Sequence, residues 1–172
     1  SAASDVYKRQ VLIGFMGAGK TTISKKLAAC LEQPVIDMDE VLVARLGCSI
    51  NHYFTEFGEA AFREQETALL KEALSNDAII ATGGGVILQK ENQKVLQDQF
   101  VIYLKGQAEI LIDRIRQDKD NIRPLAVENS DQKLKTILAT REKMYEKLAK
   151  LTIETTAKTP EEIVKEIINQ VG

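Results

Sequence analysis

The sequence has no tryptophan and a single histidine, and its 172 residues include only two cysteines and three prolines. One histidine, His52, cannot build a histidine zinc site, and Cys30 and Cys48 have neither metal-ligand spacing nor a place beside it. A disulfide scaffold and a thiol nucleophile are thereby excluded; the cysteines read as reduced thiols of a cytoplasmic protein. His52 follows Asn51 in a helical stretch of mixed polarity and receives no role. Charge of one sign is also missing, since 23 Lys and Arg against 25 Asp and Glu leave a net −2, with no basic field for nucleic acid and no acidic tail. No apolar run approaches the ~18 residues of a membrane span. Repeats and low-complexity tracts are absent as well. The start, "SAASDVYKRQ", lacks the apolar core of a signal peptide, so residues 1–9 read as a disordered lead-in or cloning remnant and residues 10–172 as one domain. Small-molecule partners, no nucleic acid, no membrane and a monomer are the expectation.

What is present is alternation. Short apolar runs predict strands at Gln10–Gly14, Pro34–Met38, Ala78–Thr82, Phe100–Leu104 and Leu151–Thr155. Helical patterns lie between and after them, at Lys20–Glu32, Asp39–Leu46, Glu59–Leu74, Lys90–Leu96, Ala108–Gln117, Ser130–Lys150 and Pro160–Gln170. Strands with little polar alternation belong in a parallel sheet covered on both faces, which predicts a three-layer α/β domain with right-handed crossovers. Ligands of such sheets bind beyond the carboxyl ends of the strands.

The strand ends carry the chemistry. After the first comes "GFMGAGKT", a G-x-x-x-x-G-K-[ST] loop with a strand before it and a helix after it. Backbone N–H groups of Gly17, Ala18 and Gly19 curl around phosphate oxygens, Lys20 neutralises the β- and γ-phosphates, and the Thr21 hydroxyl is placed to ligate Mg²⁺. The second strand ends in "DMD". Asp37 and Asp39, two apart on extended chain, point the same way and suit a general base or a water-mediated Mg²⁺ partner, while Asp39 also suits a helix N-cap. Glu59, Arg63 and Glu66 share one helical face, either as a solvated ladder or as acids that hold Arg63 for an anionic ligand. Gly83, Gly84 and Gly85 follow the third strand, where three costly residues in a row fit close approach of backbone N–H groups to a ligand better than a plain turn. The cationic segment "RIRQDKDNIRPLAVEN" fits either a solvated loop or a lid that closes on a triphosphate. Arg141 alone is an ordinary surface arginine.

Taken together, "GFMGAGKTT", "DMD", "GEAAFREQE", "TGGG", "RPL" and "TREKMY", in this order and spacing, resemble shikimate kinase, a small P-loop kinase family of the nucleoside-monophosphate-kinase-like group, from Gln10 to the C-terminus. The resemblance implies a five-stranded parallel sheet of order 2-3-1-4-5 with flanking helices, a substrate-binding section near residues 41–74 and a lid near 117–129. It implies ATP and Mg²⁺ at Lys20, Thr21 and Thr22, with Asp37 reaching the metal through water. Asp39 would hold and deprotonate the acceptor hydroxyl. Arg63 and Arg141 would bind the shikimate carboxylate, and Gly84, with Gly85, would offer backbone donors. Arg123 matches a lid arginine that reaches the phosphates, Arg116 one that stacks on adenine, and Lys158 a further adenine contact. "RPLA" departs from the more usual "RPLL" at Ala126. Gluconate kinase shares the fold, but its tryptophan-containing acceptor region has no counterpart here. A non-catalytic nucleotide-binding relative would lack the acceptor aspartate or a clamp arginine, all of which this chain has.

Overall fold

The computed structural model describes residues 8–171. Most of the expected lead-in, residues 1–7, lies outside them. Arg9, at its end, donates from Nε to the Asn76 carbonyl at 2.8 Å and pairs with Asp77 at 3.2 Å.

The strands are β1 (Gln10–Ile13), β2 (Val35–Asp37), β3 (Ile79–Ala81), β4 (Val101–Lys105) and β5 (Leu151–Glu154). They form one sheet of order β2-β3-β1-β4-β5 in which every neighbouring pair is parallel. Every residue of β1 and β3 is buried, and β4 is buried through Leu104, as expected of strands covered on both faces. The edge strands β2 and β5 keep partly exposed positions.

The helices are α1 (Lys20–Leu31), α2 (Met38–Leu46), α3 (Ile50–Ala73), α4 (Lys90–Leu96), α5 (Ala108–Gln117), α6 (Pro124–Glu128), α7 (Asp131–Leu148) and α8 (Pro160–Val171). Helix α1 packs on β3 and α8, and α5 packs on α7, completing a three-layer α/β/α domain. None is long and apolar enough to cross a membrane.

Two helices differ from the sequence pattern. Helix α3 starts nine residues before Glu59, because the Ser49 side chain accepts from His52 N and caps a first turn; the chain then kinks at Gly58, where φ is 86° and ψ 168°. The stretch read as either a solvated loop or a lid contains α6, begun by Pro124 in the first turn. Register places Asp37 beside Ala81 and Ile13 beside Tyr103, so the ends of β2, β3, β1 and β4 open onto one rim.

Helix α5 leans directly on the loop between β1 and α1. Gly17 has φ +79°, and a Cβ there would lie 2.9 Å from the Leu111 carbonyl oxygen. Gly17→Ala is therefore expected to cost about 2 kcal/mol through left-handed strain and displacement of α5, read as a lower urea midpoint; an unchanged midpoint would show that the loop yields freely.

Candidate active site

The loop after β1 ends at Gly19, which takes φ +93° and caps α1 without a side-chain hydrogen bond, leaving the first N–H groups of the helix for an anion. Ala18 is buried beneath it, and Thr22 is exposed in the first turn. The Lys20 ammonium donates to the Gly14 carbonyl and to the Phe15 carbonyl, the latter at 3.0 Å. Burial, followed by the nearby Arg123 charge, lowers its pKa to about 7. The Thr21 hydroxyl donates to Asp37 Oδ2 at 2.6 Å.

Strand β2 stops at Asp37 and the chain turns at once into α2. Asp37, not Asp39, is the N-cap, its Oδ1 accepting from Glu40 N at 3.2 Å. Asp39 sits in the first helical turn instead of one pleat further along a strand. It reaches a different partner, Arg123, at 3.3 Å. Burial raises the Asp39 pKa, while Arg123 and Lys20 pull against that rise.

Asp39 lines a cavity of about 280 Å³ that also holds Arg63, Arg123, Arg141 and the three glycines. Arg63, carried by α3 past the kink, donates from Nη1 to Glu66 at 2.9 Å and lies 5.4 Å from the Phe62 ring centroid. Its Nε is buried and makes no hydrogen bond among the described residues, lying 3.5 Å from Glu59 Oε1 in a loose ion pair. Glu66 is 1% exposed, and burial raises its pKa against the pull of Arg63. Arg141, 8% exposed on α7, lies 5.7 Å from the Phe15 ring centroid and makes no ion pair among the described residues. A buried guanidinium without an anion is expensive, so the end of the cavity between Arg63 and Arg141 suits a carboxylate.

The glycine triplet has a reason that its sequence did not disclose. A Cβ on Gly83 would lie 3.0 Å from both Asp39 Oδ1 and Glu66 Oε2, and one on Gly85 would lie 2.4 Å from Arg63 Nη2. The side chains of the site occupy the space that larger residues would fill. Gly84 is looser, its missing Cβ 3.5 Å from Met16 N, and its carbonyl accepts from the buried Tyr145 hydroxyl at 2.5 Å. Tyr145, the last residue of "TREKMY", received no role from the sequence; its signal is a place one helical turn after Arg141.

The remaining candidates lie around the rim. Arg116, expected over adenine, is held by Asp131 at 2.9 Å, by the Asn129 carbonyl at 2.7 Å and by the Ala126 carbonyl, so it braces the segment carrying α6. Arg114, two residues earlier, donates to the Gly17 carbonyl at 3.1 Å on the outside of the P-loop. Lys158 pairs with Glu166 at 2.6 Å. Among the described residues no group of three or more His, Cys, Asp or Glu side chains converges on one point. The joined Thr21 hydroxyl and Asp37 carboxylate nevertheless form a hard oxygen pair of the kind that suits Mg²⁺, an ion that keeps waters and shares phosphate oxygens.

The family model for shikimate kinase matches residues 16–172. The chain belongs to that family. It is 51% identical over 161 residues to the shikimate kinase of Enterococcus faecalis, covering 93% of this chain and 96% of that protein. It is 41% identical over 158 residues to the shikimate kinase of Streptococcus gordonii, at 91% and 96% coverage. Among solved structures, the shikimate kinase of Acinetobacter baumannii in complex with shikimate superposes with a TM-score of 0.90 at 35% identity, covering 99% of this chain and 96% of that one. A gluconokinase from Sinorhizobium meliloti, at 14% identity and a TM-score of 0.58 over 96% and 92% of the two chains, shares the fold alone.

Two outcomes are expected from this geometry. In Gly85→Ala the new methyl group displaces Arg63, so affinity for a carboxylate ligand of the shikimate kinase type should fall about tenfold, a loss of ~1.4 kcal/mol, with nucleotide affinity unchanged; titration calorimetry with each ligand checks this. Lys20 is partly neutral above about pH 7, and a polyphosphate favours its charged form. Binding of ADP at pH 8 should therefore draw a proton from the buffer, seen as binding heat that varies with buffer ionisation enthalpy. Heat independent of the buffer would contradict the lowered pKa.

Proposed function

We propose that this chain transfers the γ-phosphoryl group of ATP to the 3-hydroxyl of shikimate, giving shikimate 3-phosphate and ADP on the route to chorismate and the aromatic amino acids. One observation carries the reading. A phosphate loop and a carboxylate, Asp39, adjoin a cavity whose far wall presents a buried, unpaired Arg141 beside Arg63. This is the arrangement required by an acceptor that has a hydroxyl at one end and a carboxylate at the other. Family membership and the relative in complex with shikimate support the same acceptor.

In the proposed reaction, backbone N–H groups from Gly17 through Thr22 hold the triphosphate, and Lys20 lies against its β- and γ-phosphates. Thr21, and Asp37 through water, would hold Mg²⁺, which when bound offsets phosphate charge. Arg63 and Arg141 grip the shikimate carboxylate and thereby aim the ring, while Gly84 and Gly85 present backbone to it. Asp39 accepts the proton of the 3-hydroxyl as its oxygen bonds to the γ-phosphorus and the bond from that phosphorus to the β–γ bridging oxygen breaks. Burial raises the Asp39 pKa and so makes it a better acceptor of that proton. Arg123 meets the charge spread over the transferring group. Positioning supplies most of the acceleration, because the loose transition state asks little covalent chemistry of the protein.

On the nucleotide side, Arg114 lies nearer the P-loop than Arg116, and Lys158 flanks the loop after β5. The section 41–74 then receives the acceptor and 117–129 is the lid. A monomer in the cytoplasm belongs to the same reading, supported by the free Cys30 and Cys48 and by small, polar substrates.

The test is ADP release across shikimate, quinate, gluconate and neutral polyols, with and without Mg²⁺. Shikimate with Mg²⁺ should dominate; equal turnover of gluconate or a polyol would overturn the acceptor assignment. Asp39→Asn should lower kcat by about 10²–10⁴-fold, and Arg123→Ala by about 10²–10³-fold. Near-normal rates in both would defeat the mechanism.

A further inference from the structure

Tyr145 is completely buried; it closes the motif "TREKMY", yet neither the resemblance nor the proposed chemistry gives it a role. It stands on α7 one turn after Arg141, and its ring stacks on Tyr103 of β4 with centroids 4.9 Å apart. Tyr103 is in register with Ile13, the last residue of β1 before the phosphate loop. The Tyr145 hydroxyl reaches across to the Gly84 carbonyl at 2.5 Å. One side chain thus ties together the helix bearing Arg141, the strand beside the P-loop strand and the glycine triplet.

The carbonyl of Gly84 and the N–H of Gly85 belong to one planar trans peptide and point in opposite directions. Fixing the oxygen on Tyr145 therefore fixes the direction of the hydrogen. Gly85 lines the acceptor cavity, and among the described residues its N–H has no acceptor. A peptide with glycine on both sides, and a third glycine before it, rotates more readily than any other kind. A hydrogen bond from Val86 N to the Gly83 carbonyl at 3.2 Å closes a turn around that peptide, but packing adds little, since Met16 N, the nearest atom to the missing Gly84 Cβ, is 3.5 Å from it; the Tyr145 hydroxyl is the side chain that grips the peptide's own oxygen.

We infer that Tyr145 is a positioning residue for the acceptor, a latch that holds the Gly84–Gly85 peptide with the Gly85 N–H turned into the cavity. The N–H donates to an oxygen of the bound hydroxy acid. Burial pushes the Tyr145 pKa up to about 12, so the phenol remains a donor across the working pH range. The latch and Arg141 sit on the same helix face, so the two contacts to the acceptor are held at a fixed separation.

The inference rests on the proposed acceptor site, and the experiment separates the two. Tyr145→Phe keeps the stacked ring and removes only the donor. Its KM for shikimate should rise about five- to tenfold, while the KM for ATP and kcat stay within about twofold. Arg141→Ala, assayed alongside, should raise the shikimate KM more strongly. If Arg141→Ala raises it and Tyr145→Phe does not, or if Tyr145→Phe shifts the ATP and shikimate constants equally, the latch is wrong and the acceptor site stands. If Arg141→Ala leaves the shikimate KM unchanged, the acceptor site falls and the latch with it. A second measurement needs no variant. In ¹⁵N-labelled protein the Gly85 amide resonance should shift on titration with shikimate; a resonance that does not respond overturns the proposal even if Tyr145→Phe folds poorly.

Discussion

The ion pair between Arg63 and Glu66 sets the terms for its surroundings. Glu66 is withdrawn from water, which raises its pKa, and the Arg63 guanidinium 2.9 Å away pulls the other way. That pair is costly to bury and would be weak as a source of stability. Its value lies in geometry. Glu66 holds Arg63 on one edge, Phe54 and Phe62 flank the guanidinium, and Gly85 leaves the room in which it lies. Remove any of these and the arginine has other rotamers to choose from, so the cavity loses its fixed positive wall.

The sheet makes such a site affordable to position. Four parallel strand ends meet on one rim, which brings residues distant in sequence to one place without long loops. The phosphate loop comes from the end of β1, the carboxylates from the end of β2, and the triplet from the end of β3. Helices α3 and α7 then deliver one arginine each to the cavity. Arg141, which makes no ion pair among the described residues, leaves the wall with positive charge available to an anion.

Sequence patterns disclosed the alternating fold and the phosphate loop because both rest on local rules: apolar runs of strand length, and glycines where the backbone itself binds. Sheet order came only from the resemblance, since spacing carries no record of which strands are neighbours. Arg63 stayed open between a solvated ladder and an anion site, and Arg141 looked like an ordinary surface arginine, because burial of a charge is a property of packing. Asp37 and Asp39 were read on one extended face, but β2 ends one residue earlier than its apolar run suggests and the helix turns Asp39 toward Arg123. The early start of α3 was hidden because Gly58 interrupts its periodicity. Arg116 shows the converse limit: a motif position can match while three local acceptors engage the side chain elsewhere.

The contact between Arg123 and Asp39 has a bearing on the order of events. One guanidinium joins the segment that carries α6 to the carboxylate that accepts the proton on the proposed mechanism, and a triphosphate would compete with that carboxylate for it. In the state described here Asp39 is paired with its own counter-ion. On the proposed mechanism, arrival of the phosphate donor is what draws the arginine off and uncovers the base. The pair then acts as a safety catch, leaving the carboxylate muted until the group to be transferred is in place.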